Sequence, residues 1–121
     1  MNKLRSALAP KAAGFTLVEI MIVVLIIGIL LAIAIPNFVT ARNSSRSRAC
    51  VANLKQIDSA KQQYIMDNKL ASTVTPTSAN LAPTYIRAFP TCPASGSYTI
   101  GDGNTNPSCS FSDTQYPHAL T

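Results

Sequence analysis

Gly14-Phe15-Thr16-Leu17-Val18-Glu19 joins a short basic leader to sixteen apolar or small residues, Ile20 to Ile35, with no charge and no hydroxyl among them. The reading of this join decides the fold. From Leu17 to Ile35 the run is 19 residues long. As a helix it spans about 28 Å, close to the ~30 Å of a bilayer's hydrocarbon. Its Ile and Val content favours strand in water, but in lipid a lone segment must satisfy its own backbone groups, so helix is expected. Glu19 is the anomaly. A carboxylate costs about 2.5–3.5 kcal/mol at the centre of a membrane helix and less near its edge, so such an acid marks function and needs a partner.

Outward from the join, the charge is strongly local. The chain carries ten Lys and Arg against five Asp and Glu, a net charge of +5. Lys3, Arg5 and Lys11 precede the apolar run and Arg42, Arg46 and Arg48 follow it, while beyond Ala49 four bases face four acids. The flanks are so evenly basic that charge alone leaves membrane orientation open. The apolar run is also too long for a secretory signal, whose core is ~7–15 residues before a small-residue cleavage site. Of 121 residues, roughly 85 remain after it for a small, marginal core.

Pro36 removes a backbone donor and clashes with the preceding turn, so a kink is expected there. Beyond it the pattern turns amphipathic. Cys50, Leu54, Ile57, Lys61 and Tyr64 recur at spacings of four, three, four and three, widened by Val51, Ala60 and Ile65. The helix is expected to end near Leu70, stopped by Ser72-Thr73-Val74-Thr75-Pro76, and a short helical turn is expected at Thr77–Leu81 before Pro83. Ser97–Ile100 and Ser108–Phe111 read as the strands of a hairpin around Gly101-Asp102-Gly103-Asn104. The fold class is therefore α+β, a long helix with a small, antiparallel, loop-rich head.

Cys50, Cys92 and Cys109 are odd in number. A disulfide between Cys92 and Cys109, in the loop-rich segment where a staple helps most, is favoured, leaving Cys50 free; pairing through Cys50 is the alternative. With His118 the three could complete a zinc site, but no two cysteines are close in sequence, so no metal and no cofactor is expected and His118 is read as an exposed or packed tail residue. No spacing suggests a catalytic triad or a carboxylate pair, and an enzyme is not expected. Arg42-Asn43-Ser44-Ser45-Arg46-Ser47-Arg48 could touch lipid phosphates or DNA. It lacks interleaved aromatics for stacking on single strands, and a solvated or subunit-facing surface is the preferred reading.

Gly14-Phe15-Thr16-Leu17-Val18-Glu19, the apolar run and Ala34-Ile35-Pro36 closely resemble the N-terminal signature of type IV pilins and type II secretion pseudopilins. The resemblance covers about 25 residues. It implies cutting between Gly14 and Phe15 by a prepilin peptidase, N-methylation of Phe15, and an orientation with the leader in the cytoplasm. It further implies a single-pass inner-membrane precursor in contact with lipid, an inner-membrane assembly platform, and polymerisation into a helical filament found in the periplasm or outside the cell. The expected segments are a leader at 1–14, a membrane and filament-core helix at 15–35, its amphipathic continuation at 36–70 and a pilin head at 71–121.

Cutting at Gly14 removes the cytoplasmic charges and creates an ammonium at Phe15. In the family this group is thought to pair with the acid of a neighbouring subunit, which gives Glu19 its partner. The plainer reading is that Glu19 serves the helix dipole in its own first turn, and the two are compatible. Gly28 is expected to allow close helix approach, or is simply a common membrane-helix residue, and Gly28 to Pro36 is the stretch that loosens on assembly. The expected function is structural, as a type IV pilus subunit. The alternatives are a secretion pseudopilin, or a DNA-binding pilin of a competence system, which the near-neutral head disfavours.

Overall fold

The computed structural model describes residues 13–121; the basic leader residues Lys3, Arg5 and Lys11 lie outside the described residues. Helix α1 runs Leu17–Asp67 with Pro36 inside it. It is followed by a one-turn helix α2 (Ser78–Leu81) and two short strands, β1 (Tyr98–Thr99) and β2 (Ser108–Cys109). The chain divides after Asn37 into two compact units, one up to Asn37 and one from Phe38 to Thr121.

In the first unit the described residues bury nothing. Every side chain from Ala13 to Asn37 is exposed. Phe15 is 83% accessible, and the Ile, Val and Leu side chains that follow are at least about half exposed. This half of α1 is long and apolar enough to cross a membrane. Burying that surface elsewhere is favourable at about 25 cal/mol per Å².

In the second unit α1 becomes one wall of a packed head. Most of the predicted stripe is buried: Cys50, Leu54, Ile57, Ala60, Lys61 and Ile65 all face inward, while Val51 and Tyr64 are half-buried. Ile57 and Ala60 pack with Leu81 and Ile86, and Tyr64, Tyr85, Phe89, Tyr98 and Ile100 close around them. A second cluster joins Cys50, Leu54 and Cys92 to Ala94, Cys109 and Leu120, with Tyr98 touching both. Tyr64 and Tyr85 meet edge to face at 5.9 Å, a geometry that the ring quadrupole favours.

Lys61 belongs to the stripe although it is charged. It is 0% exposed, and its ammonium donates to the carbonyls of Ile100 and Thr105 and pairs with Asp58 at 3.2 Å. A buried ammonium is costly unless each proton has a partner. These three acceptors meet that need and tie the loop after β1 to the helix. Gly103 completes the tie. Its N–H donates to Ser72 O at 2.7 Å, and a Cβ there would stand 2.8 Å from the same oxygen.

The helix ends earlier than the Ser72–Pro76 stretch suggests, and by a different device. Leu70 N–H donates to Ile65 O and Lys69 N–H to Met66 O, with Lys69 at φ 51°. This is a Schellman motif with lysine where glycine is usual. The short helix expected near Thr77 is present as α2, where Asn80 Oδ1 accepts from the Thr77 N–H. The hairpin is also present but shorter than expected. Its register pairs Tyr98 with Cys109 and Thr99 with Ser108, and Ser110 N–H adds a bond to Ser97 O. One feature had no sequence signal: the C-terminal tail returns to β2 through an antiparallel bridge between Ser108 and Ala119.

Candidate functional site: the capped apolar helix and the thiol cluster

The start of α1 is set by local chemistry. Thr16 lies just outside the helix and Glu19 three residues on. The Thr16 N–H donates to Glu19 Oε2 at 2.7 Å, and the Glu19 N–H donates to Thr16 Oγ1 at 3.2 Å. This reciprocal pair is a capping box, which satisfies two backbone donors that a helix start otherwise leaves open. Glu19 thus has a role within its own chain, as the plainer sequence reading held. Its carboxylate also stays beside the exposed face of Phe15, Ile20, Ile22 and Val23, which line a shallow cavity with it. Capping occupies Oε2 and leaves the charge where a cation from another chain could reach it.

Gly14 and Phe15 lie in the extended stretch just before the helix, both exposed. Among the described residues, chain neighbours and the helix's own backbone aside, no atom lies within 4 Å of the place a Cβ would occupy on Gly14 or on Gly28. Nothing among the described residues, therefore, requires glycine at position 28. The helix continues through Pro36. In the basic stretch Arg42 and Arg48 are exposed, Arg46 is half-buried, and Ser47 is buried where it donates to the Pro117 carbonyl at 2.6 Å.

The second cluster of chemistry lies inside the head, and sequence spacing did not reveal it. Cys50 from α1, Cys92 from the loop before β1, Cys109 from β2 and His118 from the tail converge, with their donor atoms all within 4.8 Å of one another. Cys92 Sγ is 3.5 Å from Cys109 Sγ, 4.0 Å from Cys50 Sγ and 4.0 Å from His118 Nδ1. The expected pair Cys92 and Cys109 is thus brought together, but all three thiols are free and Cys50 is equally part of the group. His118 is a packed residue, 4% exposed, with its ring 4.7 Å from that of Phe111.

The thiols do not share one environment. Burial pushes Cys50 up to about 12, against the opposing effect of the Tyr98 hydroxyl. Burial is also the largest single influence on Cys92 and acts upward. Hydrogen bonds from the N–H groups of Ala94 and Gly96, with the Cys109 and Cys50 thiols, outweigh it and hold Cys92 below the ordinary thiol range. Burial raises the Tyr98 hydroxyl; it accepts from Asn53 Nδ2 at 3.1 Å.

Comparison with known proteins points to one family. Residues 10–35 match the prokaryotic N-terminal methylation motif. The chain is 47% identical over 58 residues to a protein named "Type IV major pilin protein PilA" of Myxococcus xanthus, covering 48% of this chain and 26% of that one. It is 32% identical over 101 residues to "Type II secretion system core protein G" of Klebsiella michiganensis, covering 72% and 71%. It is 31% identical over 99 residues to "Type IV wide pilus major component PilA4" of Thermus thermophilus, covering 82% and 71%. No solved structure matches the chain. The match at the methylation motif, extended across most of the chain by the last two relatives, makes this protein a member of the type IV pilin and type II secretion pseudopilin family.

Proposed function

We propose that the protein is a structural subunit, made as a prepilin in the inner membrane and polymerised through the first half of α1 into a pilus. The observation that carries this reading is the uncovered apolar surface from Phe15 to Val39 on a chain whose other half has its own core. Such a surface needs lipid before assembly and other copies of the same helix afterwards. The first 14 residues are the leader, which a prepilin peptidase removes on the cytoplasmic face; the same enzyme class then methylates Phe15. Loss of Lys3, Arg5 and Lys11 frees the helix from its cytoplasmic anchor, so an assembly platform can lift it from the bilayer.

The new ammonium at Phe15 then meets Glu19 of a neighbouring subunit. Two charges in an apolar bundle stabilise it only when paired, so the pair fixes register as well as position. Gly28, open in the single chain, is where a neighbouring helix comes closest. The stretch from Gly28 to Pro36 is where α1 yields on assembly. A secretion pseudopilus is the second reading, favoured by a relative named as a type II secretion core protein that aligns over 71% of its length.

Mass spectrometry of the protein purified from its own membrane tests the processing. The expected N-terminus is methylated Phe15. A chain that keeps Met1 in cells with an active prepilin peptidase would overturn the reading.

A further inference from the structure

We propose that Cys50, Cys92, Cys109 and His118 form a structural zinc site in the head. The convergence of four donor atoms within 4.8 Å carries the inference. Around a tetrahedral zinc, with Zn–S near 2.3 Å and Zn–N near 2.0–2.1 Å, sulfur atoms stand about 3.8 Å apart and sulfur and nitrogen about 3.6 Å. The separations from Cys92, at 3.5, 4.0 and 4.0 Å, already lie near these values. The longest separation in the group closes by about 1 Å on binding.

The thiols also have a polar neighbour. Tyr98 packs against the cluster of Cys50, Leu54 and Cys92, and its hydroxyl accepts from Asn53 Nδ2 at 3.1 Å. A polar group held beside metal-bound thiolates helps to orient them. Gly96 has no room for a side chain, because a Cβ would stand 2.6 Å from Cys109 Sγ and 2.9 Å from Phe111 Cβ. His118 is held from both sides, by the Ser47 bond to the Pro117 carbonyl and by the Ser108–Ala119 bridge. A single disulfide would engage two of the three thiols and leave the third and His118 unused. One zinc engages all four.

The donor set also indicates the kind of site. Three sulfurs and one imidazole suit zinc better than calcium or magnesium, which take oxygen. Four protein ligands leave no open position, so the site is structural and not catalytic. The ligands come from α1, the loop before β1, β2 and the tail, so one ion ties together four segments of a head with only a two-stranded sheet. Binding releases the thiol protons of the cysteines that ligate. This inference is independent of the assembly reading.

The test uses the full chain in detergent, purified without chelator. Elemental analysis and native mass spectrometry are expected to find one zinc per chain, with all three cysteines resistant to iodoacetamide until a strong chelator is added. Cobalt(II) added to the stripped protein is expected to give the visible bands of tetrahedral thiolate coordination. That readout needs no variant to fold. His118→Cys should keep the metal, whereas His118→Ala should weaken it at least ~10-fold, as loss of a ligand does no less than loss of a ligand's support. A zinc-free protein with a Cys92–Cys109 disulfide, or cobalt without tetrahedral bands, overturns the proposal. So does equal zinc in a chain with all three cysteines changed to serine.

Discussion

The two halves of α1 place the same kind of apolar side chain in opposite surroundings. Ile27 in the first half is 49% exposed and Ile57 in the second is 0% exposed. The first half is apolar on all sides and finds nothing among the described residues to cover it. The second carries one apolar stripe and meets a head shaped to it. A helix that is apolar all round needs an environment, whereas one with a stripe needs a partner. The protein uses one continuous element for both.

The comparison breaks most readily at Glu19. Glu19→Ala removes both the cap and the charge, while Glu19→Gln can keep the capping geometry and loses only the charge. If the acid pairs between subunits, both variants fail to form filaments seen by electron microscopy, since an unpaired charge in an apolar bundle costs about 3–5 kcal/mol. Normal filaments from Glu19→Gln would reduce the acid to a helix cap.

Next in size is the contrast between the two isoleucines. Ile57→Ala should lower the unfolding free energy of the head by about 2–5 kcal/mol, measured by denaturant titration in detergent. Ile27→Ala should leave it within about 0.5 kcal/mol and act only on assembly. Equal losses from the two would mean that the helix unfolds as a single body. The smallest effect is expected at Lys69, whose positive φ is strained for a side chain. Lys69→Gly should stabilise the head by about 0.5–1 kcal/mol, since relief of the left-handed strain exceeds the extra freedom of glycine in the unfolded chain.

Features that depend on neighbours in sequence were legible. The apolar run, the stripe from Cys50 to Tyr64 and the hairpin around Gly101–Asn104 each follow from spacing over a few residues, whereas the reciprocal bonds of Thr16 and Glu19 emerge only in the structure. Even buried Lys61 fell in the stripe by periodicity, although nothing local gave its acceptors at Ile100 and Thr105. The helix end was misread because Lys69 adopts a glycine-like conformation that its side chain does not advertise. The return of the tail to β2 left no trace, since Pro117 and Ala119 show no alternation that marks a strand.

By itself, then, the sequence determined the processing signature, the length of the apolar run and the face that its amphipathic continuation turns to the head, because each is a matter of period or of adjacent residues. Tertiary structure alone decided that Cys50, Cys92, Cys109 and His118 meet. Cys92 lies 42 residues from Cys50, 17 from Cys109 and 26 from His118. Contacts at such separations arise only when loops close over a shared core, and no local pattern records which loops will do so.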